Sequence, residues 1–281
     1  MSTDSPVTPL ASFEAKWTQA YPEFALALRF VRGAQRDAQS AFACLVFEIE
    51  YAAFGIREAQ PAAIKLQWWA EELTRTAKGE ARHPLTQALA ARIEAAKIPS
   101  ALWQQAIIAA LAQRDPEPAA NAAALLDGYA PMYAPIGTIE AALFGTDAES
   151  VARVLASMRA LRDAAALSIA LRDGKLPLPL DVLARHRLSR GDLAAASEAR
   201  TQALREWFLE LAANLRARLD PAALAAHPLG IVRATMAAAD ARRAARAART
   251  SEPLAAMNDA LGRLSIPVVW SAWRAARRSP A

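Results

Sequence analysis

Apolar residues recur at helical spacing along almost the whole chain, and the alternation that marks β-strands is nearly absent. In "TQALREWFLELAANLRARL", Leu204, Trp207, Phe208, Leu211, Leu215 and Leu219 fall on one face at a period near 3.6 residues. Prolines punctuate these runs: Pro61, Pro84, Pro99, Pro116, Pro131, Pro135, Pro177, Pro221, Pro253 and Pro267 read as breaks between helices. The fold class is therefore all-α, a helical bundle. No self-similarity at the roughly 33- to 47-residue period of helical repeats appears, and no Ser/Gly-rich linker divides the chain. One domain over residues 13–281 is expected, preceded by a flexible N-terminus, residues 1–12. Asp181 is placed to cap a helix, and Ser189 with Asp192 has capping-box spacing before "LAAASEAR".

Hydrophobic residues make up 54% of the 281, yet no run of ~18 apolar residues suggests a bilayer span. "MSTDSPVTPLASFEAKW" lacks the basic and apolar regions of a secretory signal. The single cysteine, Cys44, lies in an apolar run and reads as an inert core thiol, so a reducing cytoplasm is the expected compartment. The net charge of +5 is unevenly placed. From Arg233 onward, nine arginines face Asp240, Glu252 and Asp259, a net +6, while the rest of the chain holds 24 basic against 25 acidic residues. Such asymmetry points to a surface for something anionic.

Chemical motifs are sparse. His83, His186 and His227 have no partners at metal-ligand spacing, and His83 and His227 precede proline as loop residues do. P-loop, G-x-G-x-x-G and G-x-S-x-G patterns are missing. One acidic pair stands at i, i+4, Glu206 and Glu210, opposite the apolar face of its helix, as a solvated surface requires. The other close acids are Glu48 with Glu50, and Glu71 with Glu72, the latter within reach of Arg75.

The segment "AIKLQWWAEEL" puts two tryptophans side by side on a helix, about 100° apart. Trp69 shares a stripe with Leu66 and Leu73; Trp68 shares the next with Ile64 and Glu72. This segment, with "GEARHPLTQALA" after it, resembles the R-L-Q-W-W-R-x-x-L and R-x-H-P stretch of the squalene/phytoene synthase family. "DGKLPLPLDVLARHRLS" resembles that family's R-G-R-x-Y-L-P-x-D-L-L-x-x-H-G-L stretch, and "RLSIPVVWSAWRAARR" its C-terminal basic helix. Order and spacing agree over roughly residues 20–278.

The resemblance implies a type I isoprenoid-synthase fold, helices around a central cavity that takes an isoprenoid or lipid. One tryptophan ring would then be core and the other a cavity wall. Counting back from Trp68 sets the family's first Asp-rich motif, D-D-x-x-D, on Glu50-Tyr51-Ala52-Ala53-Phe54, where only Glu50 is acidic. Counting back from Pro179 sets the second on Ala166–Ala170, with no acid. Those carboxylates would hold the Mg²⁺ that neutralises a leaving diphosphate. Their loss is similar to the family's degenerate branch, which includes the mitochondrial assembly factor of respiratory complex I. It implies a lipid-binding, protein-binding or assembly role, with no cofactor. The cavity residues implied are Trp68, Trp69, Tyr51 and Phe54. The alternative is an active prenyltransferase with a Glu-based Mg²⁺ site from Glu48, Glu50, Glu71 and Glu72.

The basic end completes the expectations. Arg242, Arg246 and Arg249 lie near one helical face with Arg243 beside them, and Trp270 and Trp273 precede Arg274, Arg277 and Arg278. Tryptophans with trailing arginines suit an interfacial helix on anionic lipid, at the inner face of the membrane. A terminal helix that packs its tryptophans on the bundle is the other reading. Nucleic acid is disfavoured, because no recognition motif accompanies the arginines.

Overall fold

The computed structural model describes residues 8–264 and 266–277. Among them the chain forms fifteen α-helices and no strand. The first six are α1 (Pro9–Ala20), α2 (Pro22–Leu28), α3 (Ala34–Glu50), α4 (Ala59–Ala77), α5 (Pro84–Ala95) and α6 (Ser100–Ala112). Next come α7 (Ala122–Phe144), α8 (Ala148–Ala165), α9 (Leu167–Arg172), α10 (Leu180–Arg185) and α11 (Glu198–Arg218). Then follow α12 (Pro221–Ala226), α13 (Ile231–Ala247), α14 (Pro253–Ala260) and α15 (Ile266–Ala276). A π-helical turn, Tyr51–Gly55, extends α3, and a 3₁₀ turn, Gly191–Ala194, precedes α11.

Helix starts follow local chemistry. Proline opens α1, α2, α5, α12 and α14, where its missing N–H would have no intrahelical partner anyway. Thr8, Asn121, Asp147, Ser197 and Asp220 accept hydrogen bonds from the first-turn amides of α1, α7, α8, α11 and α12. Four expectations need correcting. Helix α1 begins at Pro9, inside the stretch expected to be flexible; residues 1–7 lie outside the described ones. Ser189 and Asp192 do bond reciprocally, with Asp192 Oδ2 2.7 Å from Ser189 N, but they lie at the 3₁₀ turn, whose N-cap is Arg190, and not at the start of α11. The cap of α11 is Ser197. Asp181 lies inside the first turn of α10 and bonds Arg185 rather than capping.

The fourth correction concerns α7, which runs unbroken through Pro131 and Pro135. Each proline removes one helical hydrogen bond, to the carbonyls of Asp127 and Pro131. Spaced four apart, both losses fall on one face, and packing of the 23-residue helix against α6 and α8 holds it together.

Two hydrophobic clusters fill the bundle. The larger joins α3 (Phe42, Leu45, Ile49), α4 (Leu66, Trp69, Leu73), α6 (Trp103) and α7 (Tyr133, Ile136). The smaller joins the end of α8 (Leu161, Ala164), α10 (Val182), α11 (Trp207, Phe208, Leu211) and α14 (Met257). Helix α13 serves both, with Met236 and Ala237 in the first and Ala244 and Ala247 in the second. The apolar face expected on α11 is thus the buried one from Leu204 to Leu215, with Leu219 half-buried. Each such Leu or Phe contributes about 1.5–3 kcal/mol.

Helices α7 and α8 approach closely at Gly137, where an added Cβ would lie 2.3 Å from the Ala148 carbonyl oxygen. Backbone cannot yield as a flexible side chain would. Gly137→Ala is expected to destabilise the fold by about 1–3 kcal/mol, seen as a lower denaturation midpoint in urea. An unchanged midpoint would show that the two helices part freely.

Candidate ligand cavity

The tryptophan pair of α4 divides between inside and outside. Trp69 is buried at 1% exposure, whereas Trp68 is 40% exposed, and neither lines the cavity described below. Core and solvent, rather than core and cavity wall, is the observed split, because α4 turns Ile64 and Trp68 outward, while Glu72 on the same stripe is buried. His83 bridges the two rings, with centroids 5.5 Å from Trp68 and 4.9 Å from Trp69, and Phe13 closes on its other side at 4.7 Å. His83 Nδ1 also accepts from Leu85 N at the start of α5, so it is a cap and a packing centre. Burial lowers its pKa, keeping the ring neutral.

Fully buried Glu72 fastens the same corner. It accepts from Arg82 N and His83 N, both 2.8 Å, from Thr86 Oγ1 at 2.5 Å and from Arg75 Nη2 at 3.0 Å. Burial alone would raise its carboxyl; these hydrogen bonds outweigh it and hold the pKa below the usual range.

A cavity of about 370 Å³ opens between α1, α2, α3, α8 and α13. Trp17, Tyr21 and Phe47 form an aromatic wall. The end of α3 and its π turn add Glu50, Tyr51 and Phe54 to the cavity wall. Gly55 permits this turn, since a Cβ there would meet the Tyr51 ring at 2.5 Å. Lys16 and Lys65 flank the Tyr51 ring, 5.3 and 5.1 Å from its centroid.

The polar wall is made of arginines that sequence reasoning did not single out. Arg159 and Arg162 come from α8 and Arg243 from α13. Arg159 lies over the Phe54 ring at 4.5 Å and bonds Asp163 at 2.7 Å, while Tyr129 donates to the other Asp163 oxygen at 2.6 Å. Arg162 meets Asp240 at 3.0 Å. Arg243 grips both oxygens of Glu23 at 2.7 Å and reaches Asp240 at 3.1 Å and the Arg263 carbonyl at 3.0 Å. Burial works against the charges on Arg159 and Arg162, but nearby Asp163 and Asp240 outweigh it and keep both protonated. The one local signal was the i, i+4 pair Arg159–Asp163, which reads equally well as solvated surface.

The four candidate glutamates do not converge. Glu48 is buried against Lys16, Lys65 (2.7 Å) and the Trp17 indole (3.1 Å). Glu71 is exposed, 4.0 Å from Arg75, and Glu72 belongs to the corner above. Glu50 alone lines the cavity, accepting from Tyr133 OH at 2.7 Å. The second Asp-rich register is also corrected. Residues 166–170 span the break between α8 and α9 and lie outside the cavity wall, and the acid beside the cavity is Asp163. Mg²⁺ asks for several oxygen donors at one point. Among the described residues no group of three or more acids, histidines or cysteines gathers in that way. Asp163, Asp240 and Glu23 are each held by arginine, so the residues present do not fit a diphosphate-bound metal.

The histidines are occupied too: His186 Nε2 lies 2.7 Å from half-buried Glu206, and His227 lies 3.5 Å from Asp147. Burial pushes the Cys44 thiol up to about 12, consistent with an inert core cysteine.

The basic end separates into inner and outer residues. Arg243 is an internal ion-pair residue, which corrects its place among the surface cations; on α13 it points about 100° away from Arg242, into the bundle. Arg246 and Arg249 are exposed, and Arg242 shares a groove with Arg216 and Arg274. Arg242 is held below its ordinary pKa by burial and by those two cations. On α15, Val268 and Ala272 pack inward, while Ile266, Trp270 and Trp273 are exposed, and Arg277 follows just past the helix end. Ile266 is 86% and Trp270 58% exposed, the two indoles lie 4.8 Å apart, and Arg277 covers Trp273. Arg278 lies outside the described residues.

The sequence model of the squalene/phytoene synthase family matches residues 18–274. The fold is similar to that of squalene synthase HpnC from Alicyclobacillus acidocaldarius, with TM-score 0.62 and 18% identity over 89% of this chain and 93% of that one. It is similar also to a dehydrosqualene synthase solved in complex with ligand, with TM-score 0.67 and 9% identity over 90% of this chain and 95% of that one. Among curated proteins, none matches.

Because Arg243 neutralises two buried carboxylates, Arg243→Met is expected to cost about 3–5 kcal/mol of stability, measured by chemical denaturation. A variant as stable as the parent would return Arg243 to the surface cations.

Proposed function

The chain belongs to the squalene/phytoene synthase family, and we propose that it is a member that binds a lipid or isoprenoid without metal-dependent diphosphate condensation. The observation that carries this reading is the state of the cavity's acids. A diphosphate-holding metal needs carboxylates free to bind it, whereas Asp163, Asp240 and Glu23 are bonded to arginine. Glu50 is left as a single donor, too few for a metal to bridge two phosphates.

The protein works as a binding or assembly factor at the surface of an anionic membrane. No helix among the described residues is long and apolar enough to cross a bilayer. The outward face of α15 supports attachment from one side: Ile266, Val269, Trp270 and Trp273 are solvent-exposed, with Arg274 on the same helix and Arg277 just past its end. Indoles at the headgroup boundary with cations beside them are the elements of an interfacial helix.

Two measurements test the two halves. Purified protein incubated with farnesyl or geranylgeranyl diphosphate, Mg²⁺ or Mn²⁺, and with or without NADPH, is expected to release no pyrophosphate and form no hydrocarbon. Product that disappears in Glu50→Gln would establish the Glu-based prenyltransferase instead. In flotation, the protein is expected to rise with vesicles containing phosphatidylglycerol and not with phosphatidylcholine alone. Trp270→Ser/Trp273→Ser should lower the bound fraction several-fold, and added salt should weaken binding. Indifference to both changes would overturn the membrane assignment.

A further inference from the structure

Arginine stands on the cavity wall where a metal-bridged site would need unpaired carboxylate. We infer that the cavity takes an amphiphile with an acidic head group (phosphate, diphosphate or carboxylate) directly on Arg159 and Arg162, with no divalent metal. The inference rests on the lipid-binding reading above and names the ligand class.

A guanidinium offers five N–H donors. Arg243 is nearly used up, with hydrogen bonds to Glu23, Asp240 and the Arg263 carbonyl. Among the described residues, Arg159 donates to Asp163 and lies over the Phe54 ring, Arg162 meets one oxygen of Asp240 and lies over the Tyr21 ring, and the buried Nε of each has no hydrogen-bond partner. Both stand three apart on α8, which puts them on one helical face, and both line the cavity. Two adjacent cations with donors to spare suit an oxyanion, which accepts charge-assisted bonds in pairs. Trp17 and Phe47, with the Phe54 ring under Arg159, provide apolar surface for a chain. A volume of about 370 Å³ falls within the ordinary range for a small-molecule site.

Glu50 makes the inference sharp. It lines the same cavity and is bonded to a neutral tyrosine, not to a cation. If a metal bridged it to the ligand, Glu50 would be a donor and its loss would weaken binding. If arginine holds the ligand directly, Glu50 is a like charge beside an anion, and neutralising it tightens binding.

The experiment titrates purified full-length protein with farnesyl phosphate, farnesyl diphosphate, palmitate and neutral farnesol, by calorimetry, in EDTA and again in Mg²⁺. An acidic probe is expected to bind equally in both conditions and about tenfold or more tighter than farnesol. Which acid binds best identifies the head group. Arg159→Gln/Asp163→Asn removes the cation with its partner and is expected to weaken acidic probes about tenfold at unchanged circular dichroism. Glu50→Gln is expected to tighten them several-fold. Should the double variant not fold, the sign of the Glu50→Gln change decides alone. Binding that requires Mg²⁺, that weakens in Glu50→Gln, or that ignores the head group would overturn direct capture and leave lipid binding standing. Silence from every probe with folded protein would overturn both.

Discussion

Four charged side chains, Glu23, Arg243, Asp240 and Arg162, hold three helices and a loop to one another inside the bundle. Ions taken out of water are costly unless each finds a partner of opposite sign with its hydrogen bonds in place. Here two acids meet two arginines, and the Arg263 carbonyl takes a further donor. That requirement for mutual neutralisation fixes α2, α8 and α13 relative to one another. Arg162 and Arg243 border the cavity as well as the ion network, so cavity shape and network integrity are one property.

The segments most similar to the family carry architecture more than reaction chemistry. The tryptophan pair, the histidine before Pro84 and Glu72 meet in one corner that locks α4 to α5. A chain can lose the acids of a reaction centre and keep such a corner, because the corner answers only to packing and hydrogen bonding. Similarity of fold to squalene and dehydrosqualene synthases therefore coexists with a cavity whose polar side is written in arginine.

Much of the fold was legible because helical periodicity is a local signal. The α11 face was read from its own nineteen residues. Pro131 and Pro135 misled because local rules break a helix at proline, while burial between α6 and α8 keeps this one whole. Counting from a motif places Tyr51 and Phe54 at the end of α3, and the cavity wall includes them, whereas Trp68 and Trp69 lie away from it because a motif says nothing about which way its helix faces. Arg159, Arg162 and Arg243 look like any arginines on a helix until their partners are known, and the partner of Arg243 is 220 residues away. Sites built from long-range ion pairs leave little local trace.

That separation bears on how the protein is made. The aromatic wall comes from the first fifty-odd residues, Arg159 and Arg162 from the middle, and Arg243 from the last fifth. A ribosome delivers these pieces in order, and Glu23 leaves the exit tunnel long before its guanidinium has been polymerised. Until α13 emerges, the first four fifths of the chain hold an unneutralised carboxylate and an open apolar wall. The cavity can therefore close only near the end of translation, once α13 has been made.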